Sequence, residues 1–298
     1  MRILVTGSSG QVGSALITHL RDQDVIAADR SMIDLTQPNE IPGILQRLEP
    51  SLIINAAAYT AVDQAEDQRE LATLTNAVAP GVMARWAAGR GIPIIHFSTD
   101  YVFDGRGETP WREEDATGPL SAYGETKRDG ENAVRAAGGN SLVVRTSWVY
   151  AATGKNFLRT IARLAREREQ LRIIADQIGA PTSAALIANA VVAMLSGDLE
   201  VFRRRCAQCD GIVHLAAAGE TNWYGFARAI VEGLRARNIA LAVRKIVPIA
   251  TEDYRTAARR PHNSRLDLTK LRKVFGITPV HWLTAFGPEL EALAAELR

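Results

Sequence analysis

The chain has 298 residues, 47% of them in the group Ala, Val, Ile, Leu, Met, Phe, Trp, Tyr and Cys and 23% charged. That length provides for one or two domains with a large core, and that balance excludes collagen, coiled coil, a disordered chain and a small disulfide scaffold. Lys and Arg number 35 against 33 Asp and Glu, a formal net charge of +2, so bulk charge points neither to nucleic acid nor to an anionic membrane surface.

Arg2 is followed only by Ile3-Leu4-Val5 before Thr6-Gly7, well short of the apolar region of a secretory signal. Two cysteines are too few for a disulfide framework, so a reducing, cytoplasmic setting is expected. Ile3-Leu4-Val5 reads as a buried strand that leads through a Gly-rich turn into a helix over 11–20, with Val12, Leu16, Ile17 and Leu20 on one face. The next strand, 25–28, ends at Asp29. Strands at 52–54, 92–97 and 142–144 follow, each preceded by a helical segment, at 44–48, 78–88 and 122–137. Strands that are apolar throughout and separated by helices predict a parallel sheet covered on both faces, a Rossmann-type doubly wound α/β fold.

Beyond about residue 150 the pattern loosens. Helices are predicted over 156–169, 184–195, 224–235 and 283–297, and strands over 171–174 and 212–215, while 249–263 has no clear period. The expected organisation is a dinucleotide-binding domain over 1–150 and a smaller, mixed, mainly substrate-binding domain over 151–298. The strands at Leu171 and Ile212 could rejoin the main sheet. The longest apolar stretch, 184–195, is interrupted by Asn189 and is shorter than the ~18 residues of a spanning helix, so no membrane partner is expected.

Two segments carry chemistry. Thr6-Gly7-Ser8-Ser9-Gly10-Gln11-Val12-Gly13 joins the first strand to the first helix, with glycines at Gly7, Gly10 and Gly13. A tight turn, close backbone approach and a helix N-terminus are what a pyrophosphate needs. Asp29 ends the second strand, where a carboxylate accepts hydrogen bonds from an adenosine ribose, whereas Arg30 beside it offers a cation to a 2′-phosphate. The pair leaves NADH and NADPH both open. The second segment is Tyr123-Gly124-Glu125-Thr126-Lys127, whose spacing puts Tyr123 and Lys127 on one helix face. An ammonium beside a phenol is expected to lower its pKa and make it a proton donor and acceptor. Ser98-Thr99-Asp100 closes the preceding strand, at the end where open α/β sheets hold their ligands.

With these residues in view, the chain resembles the extended short-chain dehydrogenase/reductases, and within them the dTDP-4-dehydrorhamnose reductase family. The resemblance rests on Asn55-Ala-Ala-Ala-Tyr59-Thr60-Ala-Val62-Asp63, Ser98-Thr99-Asp100-Tyr101-Val102-Phe103-Asp104-Gly105, Tyr123-Gly-Glu-Thr-Lys127 and Arg145-Thr-Ser-Trp148-Val-Tyr150. Asp176-Gln177-Ile-Gly179-Ala-Pro181-Thr182 and Arg260-Pro261-His-Asn263-Ser264-Arg-Leu-Asp267 extend it through the second half. It implies reduction of the C4 ketone of dTDP-4-dehydro-L-rhamnose to dTDP-L-rhamnose by NADPH or NADH, the last step of dTDP-rhamnose biosynthesis. By the same resemblance Tyr123 supplies the proton, Lys127 holds the nicotinamide ribose and Thr99 orients the ketone. Gly10, Gln11, Val12, Asp29, Asp34, Leu35, Ala58, Tyr59 and Thr60 fall where the family contacts the dinucleotide. Val62, Thr99, Asp100, Tyr101 and Trp148 fall where it contacts the sugar, Trp148 offering an apolar face to a deoxysugar methyl.

Related dehydratases carry Asp-Glu after the threonine, where this chain has Asp100-Tyr101, which favours reduction over elimination. The alternatives are another nucleotide-sugar reductase or epimerase of the family, or a non-catalytic NADP-binding subunit resembling the regulatory subunit of methionine adenosyltransferase. Family analogy also raises Mg²⁺ at a homodimer contact, but the first-helix carboxylate it needs is Ala15 here. The one CxxC, Cys206 and Cys209, lacks two further ligands for zinc and reads as a loop with reduced thiols. No metal ligand is therefore assigned.

Overall fold

The computed structural model describes residues 1–298. The chain begins with β1 (Arg2–Thr6), α1 (Gln11–His19), β2 (Asp24–Ala28), α2 (Ile41–Leu48) and β3 (Leu52–Asn55). Two short turns, α3 (Gln64–Asp67) and α4 (Arg69–Thr73), lead through a π-helical segment over Leu74–Val78 into α5 (Ala79–Ala88). Then come β4 (Ile94–Thr99), α6 (Ala122–Ala136), β5 (Ser141–Thr146), β6 (Val149–Tyr150) and α7 (Phe157–Glu167). The strands β7 (Gln170–Ile174), β8 (Ile178–Gly179) and β9 (Thr182–Ser183) precede α8 (Ala184–Met194) and α9 (Leu199–Gln208). Finally β10 (Ile212–His214), β11 (Thr221–Asn222), α10 (Trp223–Ala236), β12 (Lys245–Ile249), α11 (Thr269–Phe275) and α12 (Trp282–Leu297) complete the chain.

Six parallel strands form the main sheet in the order β10-β5-β4-β3-β1-β2. The chain leaves β1 for β2 on one side and returns to β3 on the other, so the order reverses between β1 and β3. That reversal opens a crevice at the carboxyl ends of the strands. Alternate residues supply the two faces. Ile3 and Val5 pack with Ile187, Val191 and Met194 of α8, whereas Leu4 packs with Leu45 of α2 and Met83 of α5. Both faces are buried, which is why the strands read as unbroken apolar runs. A separate cluster joins α7, α10 and α12 around Tyr150, Phe226, Trp282 and Phe286.

The second half returns to the first at one strand and not at the other. The strand at Ile212 is the sheet edge, with Val213 opposite Val144. The strand at Leu171 stays outside, where β7 pairs in parallel with β12. Pro248 disguises β12 in the sequence, and a two-stranded ribbon tolerates it because the proline side needs no ladder donor. The expected loop around Cys206 and Cys209 is instead the last turn and C-cap of α9. Asp198 caps that helix by accepting from the Val201 amide at 2.8 Å. Phe202 and Cys206, four apart, then face the core, and both cysteines are free thiols with 3% and 0% exposure. No single helix is long and apolar enough to cross a membrane.

Helix α6 is set by two close approaches. Ser121 caps it by accepting from the Gly124 amide. A Cβ at Gly124 would sit 2.3 Å from the Tyr101 carbonyl oxygen, and one at Gly130 would sit 2.0 Å from the Asn76 carbonyl oxygen in the π segment. Gly130→Ala therefore pushes α6 off its neighbours and is expected to cost about 1–3 kcal/mol. Urea unfolding checks this: the midpoint should fall with an unchanged slope, and an unshifted midpoint refutes the tight packing.

Candidate active site

The crevice at the carboxyl ends of β1, β3, β4 and β5 is a cleft of about 650 Å³. It gathers every expected site residue except one. Gly7, Gly10, Gln11 and Val12 come from the first turn, and Asp29, Arg30, Asp34 and Leu35 from the segment after β2. Ala58, Tyr59, Thr60 and Val62 follow β3, while Thr99, Asp100 and Tyr101 close β4. Tyr123 and Lys127 reach in from α6, and Trp148 from the turn after β5. The exception is Gly13, which packs beneath the turn: a Cβ there would lie 2.0 Å from the Gly7 carbonyl oxygen. Gly13 thus lies outside the cleft lining and serves the close contact of α1 with the first turn.

The first turn has the form of an anion cradle. Gly7 has φ +67°, and a Cβ on it would sit 2.7 Å from the backbone of Ala57. α1 begins at Gln11 with Gly10 as its N-cap and no side-chain cap, so its first amides remain open to a ligand. At the β2 end of the cleft Asp29 Oδ1 accepts from the Ser31 amide at 2.9 Å and the Ser31 hydroxyl at 2.6 Å. These bonds, led by the Ser31 hydroxyl, hold its carboxyl below the usual range and leave Oδ2 free. Arg30 Nε lies 3.4 Å from Asp34 Oδ2, with the Arg30 side chain 77% exposed. The cation is held only by a surface pair and can turn to a phosphate.

The end at Lys127 and Tyr123 is drier. Lys127 Nζ donates to the Phe97 carbonyl at 2.6 Å and is almost fully buried. Burial lowers its pKa to about 8, opposed by Glu131. Tyr101 and Tyr123 meet edge to face with centroids 5.7 Å apart. The pKa of Tyr123 is raised, first by burial and then by the charge of Asp100, with only Thr99 acting the other way. This reverses the sequence expectation. The Lys127 ammonium is turned to a strand carbonyl, so burial decides the phenol. Thr99 Oγ1 donates to Asp100 Oδ1 at 3.0 Å and accepts from the Tyr101 amide at 3.2 Å. Four buried polar atoms of the lining, Ser98 Oγ, Asp100 Oδ2, Thr146 Oγ1 and Ser147 Oγ, have no partner in the protein. Such groups are costly unless a ligand or water satisfies them.

Several contributors carry no motif in the sequence. Asn76, in the π segment, accepts from the Tyr59 amide at 2.8 Å and donates to the Thr126 hydroxyl at 3.1 Å, tying the post-β3 loop to α6. Asn156, the N-cap of α7, donates to Gln11 Oε1 at 2.8 Å and brings Lys155 into the cleft. An Asn before an amphipathic run is the signal for that cap. Trp223 stacks on Trp148 with centroids 3.6 Å apart, so one face of Trp148 is already covered. Trp148 itself holds a left-handed backbone, φ +48°. Arg260 donates to Asp63 Oδ2 at 2.7 Å. No three His, Cys, Asp or Glu side chains gather as metal ligands, and the Mg²⁺ analogy receives no support.

Comparison with known proteins agrees with this geometry. Residues 1–294 match the family model described as the RmlD substrate binding domain. A dTDP-4-dehydrorhamnose reductase from Burkholderia thailandensis is 46% identical over 290 residues, covering 96% of this chain and 97% of that protein. The Escherichia coli reductase of the same name is 42% identical over 288 residues, covering 95% of this chain and 94% of that protein. Among solved structures, the Clostridium acetobutylicum dTDP-4-dehydrorhamnose reductase has a TM-score of 0.88 at 33% identity, over 98% of this chain and 99% of that one. The Bacillus anthracis reductase, in complex with NADP, has a TM-score of 0.85 at 31% identity and covers 99% of each chain. The chain belongs to the RmlD family, that of the dTDP-4-dehydrorhamnose reductases.

Proposed function

We propose that the cleft reduces the C4 ketone of dTDP-4-dehydro-L-rhamnose to the alcohol of dTDP-L-rhamnose, with NADPH or NADH as reductant. The observation that carries this is the convergence of Thr99, Tyr123 and Lys127 in one cleft with the uncapped N-terminus of α1. The dinucleotide, when bound, supplies the hydride. Gly7, Gly10, Gln11 and Val12 hold its pyrophosphate, and Asp29 Oδ2 its adenosine ribose. Arg30, Asp34 and Leu35 border the adenosine, while Ala58, Tyr59 and Thr60 flank the path to the nicotinamide. The orphaned Ser98, Thr146 and Ser147 hydroxyls supply donors and acceptors that a dinucleotide or sugar can satisfy. Val62, Tyr101 and the open edge of Trp148 border the sugar, whose hydroxyls can meet Asp100 Oδ2.

The proton chemistry follows from the local fields. Reduction needs a phenol that is still protonated when the ketone arrives, and the upward shift of Tyr123 keeps it so. Tyr123 Oη gives that proton to the developing alkoxide. Thr99 hydrogen-bonds the ketone oxygen and fixes its orientation. Lys127 lies one helical turn from Tyr123 and is the residue assigned to hold the nicotinamide ribose. On this reading residues 1–150 hold the cofactor and also supply Val62, Thr99, Asp100, Tyr101 and Trp148 to the sugar, and the second half adds Lys155, Asn156 and Trp223 to the same cleft. Two free buried thiols support a cytoplasmic, reducing location.

Generating the 4-keto sugar nucleotide in situ and following the loss of NADPH absorbance tests the reading. Tyr123→Phe should lower kcat by about 10²–10⁴-fold while still binding NADPH, and unchanged turnover sinks the assignment. Arg30→Ala should raise the KM for NADPH roughly tenfold and leave that for NADH near its original value. Equal effects on both cofactors show that Arg30 does not read the 2′-phosphate.

Lys127 also makes a stability prediction. Its folded pKa of about 8 lies below the ordinary 10.5, so between these values the unfolded chain binds more protons and stability rises with pH. Removing the buried ammonium by Lys127→Met should stabilise the cofactor-free protein at neutral pH by on the order of 1 kcal/mol while abolishing turnover. Thermal unfolding near neutrality and at about pH 10 is the measurement: the gain should shrink at the higher pH.

A further inference from the structure

Asp100 follows Thr99 directly and is 2% exposed. A threonine hydroxyl has one proton and two lone pairs. When Asp100 is ionised it can only accept, so across the 3.0 Å contact the Thr99 proton must point at Asp100 Oδ1, and the Tyr101 amide at 3.2 Å occupies one lone pair. A hydroxyl whose only proton is given to Asp100 has none for a ketone oxygen. The bond can run in the opposite sense only when the carboxyl carries a proton of its own.

We propose that Asp100 is a protonation-dependent positioning residue. As a neutral acid it donates from Oδ1 to Thr99 Oγ1 and turns the Thr99 proton toward the ketone, and as a carboxylate it holds that proton back. The inference rests on the reading of Thr99 as the partner of the ketone oxygen. No proton leaves Asp100 during turnover; only the sense of one hydrogen bond changes.

The surroundings keep both states within reach. From α6 Asp100 faces Tyr123, a neutral phenol, and from its own segment Tyr101, also neutral. From the C-terminal segment it meets the Ser264 hydroxyl. The nearby cations are engaged elsewhere: Lys127 with the Phe97 carbonyl, next to Glu131, and Arg260 with Asp63. Asp100 Oδ2 is buried without a partner. With no cation to stabilise the carboxylate, burial raises its pKa to about 7, against weaker opposition from Ser264 and Thr99. Reduction should therefore be fastest on the acid side of neutrality and fall as Asp100 ionises. The phenol of Tyr123 titrates far above this range, so it does not produce the same limb.

The test has an arm that needs no activity. Infrared difference spectra of wild type against Asp100→Asn, titrated across neutral pH, should contain a buried carboxylic-acid band that disappears near neutrality. The second arm is the pH profile of kcat in initial-rate NADPH oxidation with the 4-keto sugar nucleotide. Asp100→Asn, whose amide can donate to Thr99 at every pH, should raise the KM for the sugar nucleotide, because Asp100 Oδ2 borders the sugar, while its kcat in acid stays within about tenfold of wild type. It should lose the descending limb and overtake wild type on the alkaline side. Asp100→Ala, which removes the group that withholds the proton, should also lose the limb and serves if the asparagine variant does not fold. A variant with the wild-type limb intact, or one that binds NADPH yet is inactive in an otherwise active system, overturns the proposal. So does the absence of the infrared band. A band that titrates as expected in a wild-type protein that fails to reduce the sugar overturns instead the functional reading beneath it.

Discussion

The site depends on how closely α6 lies against the carboxyl end of β4. Two contacts set that distance: Gly124 against the Tyr101 carbonyl and Gly130 against Asn76, neither with room for a methyl group. With the helix so placed, Lys127 reaches the Phe97 carbonyl at 2.6 Å and Tyr123 comes to lie edge-on to Tyr101. An ammonium buried against one carbonyl is an unfavourable choice for stability alone. Its presence marks this interface as shaped by chemistry, and the same packing that costs stability orients Tyr123, the proposed proton donor.

Burial then decides the electrostatics. Proximity of a lysine and a tyrosine suggests a lowered phenol pKa, yet the enclosed site raises it, because desolvation and the Asp100 charge outweigh an ammonium turned toward the strand. For reduction this is the useful direction, since the phenol must begin protonated. The contrast with the buried Arg145–Glu131 pair is instructive. There two opposite charges meet at 2.7 Å with both side chains under 5% exposed, so each is compensated within the protein. In the cleft, by contrast, Ser98, Thr146, Ser147 and Asp100 keep atoms without partners, as a surface prepared for a ligand does.

The two halves of the chain are joined across this cleft by specific contacts. Gln11 meets Asn156 in the cleft lining, and Asp63 meets Arg260 outside it. Trp148 and Trp223 stack within the same lining. The second half also donates α8 to one face of the sheet and β10 to its edge, so sequence order and spatial order part company after residue 183.

The sequence by itself determined the elements that local chemistry dictates. Apolar strand runs, the glycine turn before α1, the Tyr123–Lys127 spacing and the Thr99 strand end were all legible, because each depends on neighbours within a few residues. It missed β12, where Pro248 hides a strand, and α9, where an arginine run hides the Phe202–Cys206 face despite a readable Asp198 cap. Only the tertiary structure packed Gly13 beneath the first turn, placed Asn76 between the post-β3 loop and α6 and covered one face of Trp148 with Trp223. Only it reversed the expected shift of Tyr123. These outcomes depend on desolvation and on contacts between residues far apart in the chain, and neither quantity is present in a local pattern.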